Sequence, residues 1–143
     1  MKLWTRISFI VLFVPLVASA QFRDLDAAMS NLERGFGNGD VQSIVSGIGE
    51  GDQVMLQFPG LVDQTGFFGR DQAGYLLDKL FNKVSPSGFE QVSARKVSAE
   101  GQYHITAHWT IQNGGQSESR DLYITLKSKD GRWSVVSARS AGK

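Results

Sequence analysis

From residue 22 onward the apolar positions follow two different periods. Phe22, Leu25, Met29, Leu32 and Phe36 recur at three- and four-residue steps, the spacing that lines one face of a helix. Gly35, Gly37 and Gly39 are predicted to end that helix, because glycine accepts the left-handed conformation of a helix stop. Asp40 is placed to cap a second, shorter helix with Val41, Ile44, Val45 and Ile48 on one face and Gly49 and Gly51 at its close. Val54, Leu56 and Phe58 then alternate with Gln53, Met55 and Gln57, the period of a strand, and Pro59-Gly60 turns the chain away. Residues 61–69, with Phe67 and Phe68, read as a loop. A third, long helix is predicted from about Arg70 to Val84, with a broad stripe of Ala73, Leu76, Leu77, Leu80, Phe81 and Val84, stopped by Pro86.

From Phe89 the pattern becomes strands divided by Glu100-Gly101, Gly114-Gly115 and Asp130-Gly131, which predicts a four-strand antiparallel meander. Two-residue turns fix a register. Val92 and Ala94 should face Trp109 and Ala107. Ala107, Ile105 and Tyr103 should face Leu122, Ile124 and Leu126, which in turn should meet Val135 and Ser137, with Trp133 on the same side. All three hairpins then place their apolar residues on one inner face. His104, Thr106, His108, Thr110, Tyr123, Thr125, Lys127 and Ser134 fall on the other, largely polar, face. Helices followed by an antiparallel sheet make an α+β domain.

The first twenty residues stand apart from both periods. Lys2 and Arg6 precede an apolar run from Ile7 to Val17, broken only by Ser8 and Pro15, and Ala18-Ser19-Ala20 follows as a small-residue cleavage site. These are the three parts of a secretory signal peptide, and the run is too short to cross a bilayer. The expected organisation is therefore a signal peptide over 1–20, cleaved near Ala20, and one domain over 21–143, exported to the periplasm or beyond. Cleavage changes the charge picture. Loss of Lys2 and Arg6 reduces the 15 basic residues to 13, against 14 acidic ones, and the charges are interspersed. That balance speaks against nucleic acid as a partner, since phosphate tracking needs clustered Lys and Arg. No second apolar run is long enough for a membrane, and with no cysteine the domain must be held by packing and hydrogen bonds.

The order of elements, together with Gly37-Asn38-Gly39-Asp40, Val54-Met55-Leu56-Gln57-Phe58 and Phe68-Gly69-Arg70-Asp71-Gln72-Ala73, resembles the nuclear transport factor 2-like, or cystatin-like cone, superfamily. Within it the chain is similar to a group of small secreted bacterial proteins of unknown function. In that group a Gly-Asn break, a short helix and a strand precede a Tyr-Ser-Lys-x-Gln-Ala start to the long helix. Here Phe68 replaces the Tyr and Gly69-Arg70 the Ser-Lys. The resemblance implies a curved, mostly antiparallel sheet wrapped around a long helix, with two shorter N-terminal helices and often a pocket inside. It implies no activity, because this fold carries isomerases, dehydratases, hydrolases, transport adaptors and structural modules.

Candidate chemistry is sparse. A cone enzyme working by proton abstraction needs a carboxylate base and a Tyr or acid donor in the pocket, and neither Tyr75 nor Tyr103 has a carboxylate partner in the predicted register. Arg120 and Glu118 lie on the inner face near a hairpin end, opposite Trp109 and Ile111, where rim solvation is expected. Arg120 stacked on Trp109 would suit a flat or anionic ligand. His104 and His108 are four apart on one strand, about 13 Å between Cα atoms, too far to share a metal ion. Asp121 lies across from His108, a surface pair of small energy. The Gly37-Asn38-Gly39 and 47–51 glycines lack the Lys-Ser/Thr ending of a phosphate loop. No catalytic residue, metal site or cofactor is assigned.

The sequence thus predicts an exported, non-catalytic cone that binds a small apolar ligand or a protein partner, with Tyr103, Trp109, Arg120 and Trp133 lining the inner face. Two alternatives stand beside it. One is a small-molecule isomerase, dehydratase or hydrolase working by general acid and base. The other is a homodimeric assembly module that pairs through His104, Thr106, His108, Tyr123 and Thr125.

Overall fold

The computed structural model describes residues 24–97 and 101–142; the predicted signal peptide, its cleavage site and Phe22 lie outside them. Asp24 starts the first helix, α1 (Leu25–Asn38), by accepting the Ala27 N–H at 2.7 Å. The helix runs through Gly35 and Gly37 rather than stopping at them. Only Gly39, at φ 73°, serves as the left-handed cap. Gly35 instead provides clearance. A Cβ there would stand 2.3 Å from Ile44 Cγ1, so its absence lets α1 lie against α2 (Val41–Val45). Asp40 caps α2 through the Ser43 N–H and the Ser43 hydroxyl, the latter at 2.8 Å. Ile48 is buried but lies beyond the helix end.

Two strands and a helix follow. β1 (Val54–Gln57) appears where its alternation predicts it, and β2 (Gly66–Phe68) pairs with it antiparallel, Val54 opposite Phe68. The loop expected over 61–69 therefore hides a strand, too short for its period to show. α3 (Arg70–Lys83) begins with the Gln72 side chain reaching back to the Gly69 N–H, while the Arg70 guanidinium holds the Ile48 carbonyl, Nε at 3.0 Å. α1 and α3 are each 14 residues long, so α2 alone is short.

The chain leaves α3 directly into β3 (Val84–Lys96), then β4 (Gln102–Asn113), β5 (Gln116–Lys129) and β6 (Arg132–Ser140). Pro86 sits three residues past the end of α3, though not in a loop. It lies inside β3, opposite Ile111, next to a register shift. An edge strand tolerates a missing N–H, and the residue before Pro is driven to extended geometry, which favours ending the helix upstream. The six strands are ordered β2-β1-β6-β5-β4-β3, antiparallel throughout except for β1 beside β6.

Register is where prediction and structure part. The β4–β5 hairpin matches fully: Ala107 faces Leu122, Ile105 faces Ile124 and Tyr103 faces Leu126. Between β3 and β4, Phe89 rather than Val92 stands opposite Trp109, Gln91 opposite Ala107, and Ala94 opposite Ile105. The cause is a bulge between Gln91 and Ser93 and a connection longer than two residues, closed by the Val97 N–H on the Gln102 carbonyl. Val92 is left 53% exposed. In the last hairpin Leu126 meets Val135 as expected, but a shift between Thr125 and Leu126 puts Ala138, not Ser137, opposite Ile124.

Helices cover one face of the sheet, with α1 on β3 and β4 and α3 against β1, β2 and β3. Their apolar stripes meet the inward residues of all four meander strands in one core.

Candidate functional site

The inner face of the sheet is the predicted site, and its centre is an aromatic cluster. Phe36 of α1 is the hub, with ring centroids 6.0 Å from Trp109, 6.4 Å from Phe58 and 6.4 Å from Phe81. The Trp109 ring meets Phe36 edge-on at 86°, the geometry in which the positive edge of one ring meets the negative face of another. Its indole N–H donates to the Phe36 carbonyl at 2.8 Å. That carbonyl lies in the last turn of α1, where helical partners run out. Phe36, Phe58 and Trp109 are each 0% exposed. A side chain with no accessible area lines no space that water can enter, so around these rings the cone is filled.

Arg120 stands opposite Trp109 in the register, as predicted, but it is neither stacked as a ligand arm nor solvated at a rim. It is 8% exposed. Its Nη1 donates to the Pro59 carbonyl at 2.6 Å and to the Ala141 carbonyl at 3.4 Å, and its Nε to Glu118 Oε2 at 3.2 Å. Asn113 Nδ2 donates to the other oxygen of Glu118 at 3.0 Å. One guanidinium thus ties the end of β1 and the end of β6 to β5, a use that suits its fixed fork of donors.

Tyr103 and Trp133 come together at the opposite end of the inner face. Their rings meet edge-on, 85° between planes and 5.9 Å between centroids, half-buried against the core. The four predicted lining residues therefore form two separate groups, Trp109 with Arg120 and Tyr103 with Trp133.

A different concavity lies outside the cone, between β2 and α3. It is about 370 Å³, with Phe68, Tyr75 and Leu76 as apolar walls and Gln64, Asp71, Gln72 and Lys79 around them. Tyr75 is 69% exposed, and the Lys79 ammonium lies 5.8 Å from its ring centroid. Its residues are brought together by β2, the strand that the sequence hid. The visible signal was Tyr75 lying off the apolar stripe of the long helix, one turn before Lys79.

On the polar face His108 Nδ1 and Asp121 Oδ1 are 2.9 Å apart, the pair expected from the register, and both side chains are about half exposed. Among the described residues, no three His, Asp or Glu gather to hold a metal ion, and no helix is long and apolar enough to cross a membrane.

No family model matches the chain, and no curated protein matches it in sequence. Solved structures do match in shape. A DUF4783 family protein from Bacteroides ovatus aligns over 80% of this chain and 93% of its own, with 18% identity and a TM-score of 0.63. An NTF-2 like protein of unknown function from Shewanella oneidensis aligns over 82% and 98%, with 16% identity and a TM-score of 0.58. The chain has the nuclear transport factor 2-like fold. A third protein of this fold, from Catenulispora acidiphila and described as ketosteroid isomerase-like, was solved in complex with trimethylamine. It aligns over 80% and 83%, with 8% identity and a TM-score of 0.61. At such identities the nuclear transport factor 2-like fold is what these proteins share with this chain. The centre of the cone is occupied here by the rings of Phe36, Phe58 and Trp109.

Proposed function

We propose that the protein is an exported, non-catalytic cone domain that binds a small apolar ligand outside its filled interior, in the groove between β2 and α3. The filled aromatic centre carries this reading. With Trp109, Phe36 and Phe58 closed over one another, the centre of the inner face has no space for a substrate. The groove has the volume of a small-molecule site, about 300 Å³ upward, and the usual make-up of apolar walls with a few polar groups at the edge. The trimethylamine complex of the Catenulispora protein supports small-molecule binding as one use of the fold. Export rests on residues 1–20, where charge, apolar run and Ala18-Ser19-Ala20 follow in signal-peptide order.

A thermal-shift screen of small apolar compounds tests the reading, using protein recovered from the exporting cell with its N-terminus expected at Gln21. A compound that raises the melting temperature should lose that effect in Tyr75→Ser, whose exposed ring can be removed without disturbing the core. A shift that persists in Tyr75→Ser would place the ligand elsewhere.

A further inference from the structure

We propose that the outer face of the sheet carries a second binding site, a trough for a small acidic sugar, independent of the groove at α3. The observation is a depression of about 380 Å³ over β3 to β6, built from two adjacent cross-strand rows. One row runs Ser93, Thr106, Tyr123, Arg139, each residue directly opposite the next. The second runs Arg95, His104, Thr125, Ser137. The bulge between Gln91 and Ser93 sets this alignment, since it moves Ser93 and Arg95 into step with Thr106 and His104.

The chemistry of the rows is selective. The two rows carry arginines on opposite strands, β3 and β6, three strand spacings across and two residues along, about 16 Å apart between backbones. The Arg139 guanidinium leans inward over the Tyr123 ring, 5.5 Å from its centroid. Among the described residues, no carboxylate lines the trough. Asp121, one row away, stands 2.9 Å from His108, and Glu90 lies in that same row, while Lys127 lies in the row on the other side. An oxyanion is therefore drawn toward the two arginines, which offer planar paired donors to carboxylate or phosphate. Between them the trough carries four hydroxyls, from Ser93, Thr106, Thr125 and Ser137, together with Tyr123, His104, Ile105 and Ile124. Hydroxyls that both donate and accept suit a ligand rich in hydroxyls. Acid group and polyol together define an acidic sugar: a monosaccharide bearing a carboxylate or a phosphate.

The test is an NMR titration of the purified protein with galacturonate and with glucose 6-phosphate, against glucose and inorganic phosphate. Either acidic sugar should shift the backbone resonances of Thr106, Tyr123 and Thr125 saturably. Arg95→Gln and Arg139→Gln should each weaken that binding about tenfold or more without lowering the melting temperature. Any of four results would overturn the proposal: no saturable shift at millimolar ligand, glucose binding as well as its 6-phosphate, inorganic phosphate matching the sugar phosphate, or both arginine variants binding like the parent. Shifts in the same resonances that grow with protein concentration alone would mean that a second copy covers this face, and would overturn it too. Phe68 and Tyr75 report on the groove in the same spectra, so failure at one site is read separately from failure at the other.

Discussion

Two neighbouring cross-strand pairs on β4 and β5 divide the molecule. Trp109 faces Arg120, and one residue away His108 faces Asp121. The first pair points into the core and the second into solvent, because side chains alternate along a strand. Each pair contains a nitrogen-bearing side chain with a carboxylate in reach, yet their surroundings give them different work. Arg120 is enclosed, so its guanidinium is committed to Glu118 and to the Pro59 and Ala141 carbonyls. His108 and Asp121 are open to water, and their 2.9 Å contact competes with hydration. A charge on the inner face is a structural tie, whereas charges on the outer face remain available to a ligand.

Mutations can separate these roles, and the largest effect is expected from the ring. Trp109→Ala should lower stability by about 3–5 kcal/mol, since it removes a fully buried aromatic together with the bond to the Phe36 carbonyl. Chemical denaturation measures this, and a loss under ~1 kcal/mol would mean that the centre is not packed as described. Trp109→Phe should fall between the two, keeping the ring and losing the N–H. Arg120→Met comes next, at roughly 3 kcal/mol, because the low-exposure Glu118 loses a charged partner and two backbone carbonyls lose a donor. A neutral result there would make Arg120 a free arm after all. Asp121→Asn should change stability by less than about 1 kcal/mol, the range of exposed ion pairs, and the same denaturation curve reads it. A large loss would erase the distinction between the two faces.

The sequence made the fold legible because three periods were unambiguous: the Leu25, Met29, Leu32 and Phe36 face, the Val54, Leu56 and Phe58 alternation, and the strand pattern around Gly114-Gly115. The β4–β5 register followed from a two-residue turn, and with it the facing of Trp109 with Arg120. What escaped was whatever depends on an irregularity. A bulge consumes one residue without altering composition, so nothing in Gln91-Val92-Ser93 announces that Val92 will turn outward. β2, at three residues, is below the length at which alternation means anything. The site was harder still. Identifying Trp109 and Arg120 as inward residues was a matter of parity, but parity does not say whether an interior is hollow. That depends on Phe36 of α1 and Phe58, just past β1, arriving at Trp109, with Phe81 of α3 against Phe36.

The single parallel pairing, β1 beside β6, has a kinetic side. β6 is the latest of the described strands in sequence, yet it stands between β1 and β5 and joins β1 and β2 to the meander within the sheet. The Met55 to Ser137 pairing closes a long stretch of chain, and such distant contacts slow folding because the loop must be ordered before the contact rewards it. Until β6 docks, β1 and β5 each expose an unpaired edge. During that interval the half-built sheet is open to pairing with another copy, and a chain truncated before Ser134 would stay in that state.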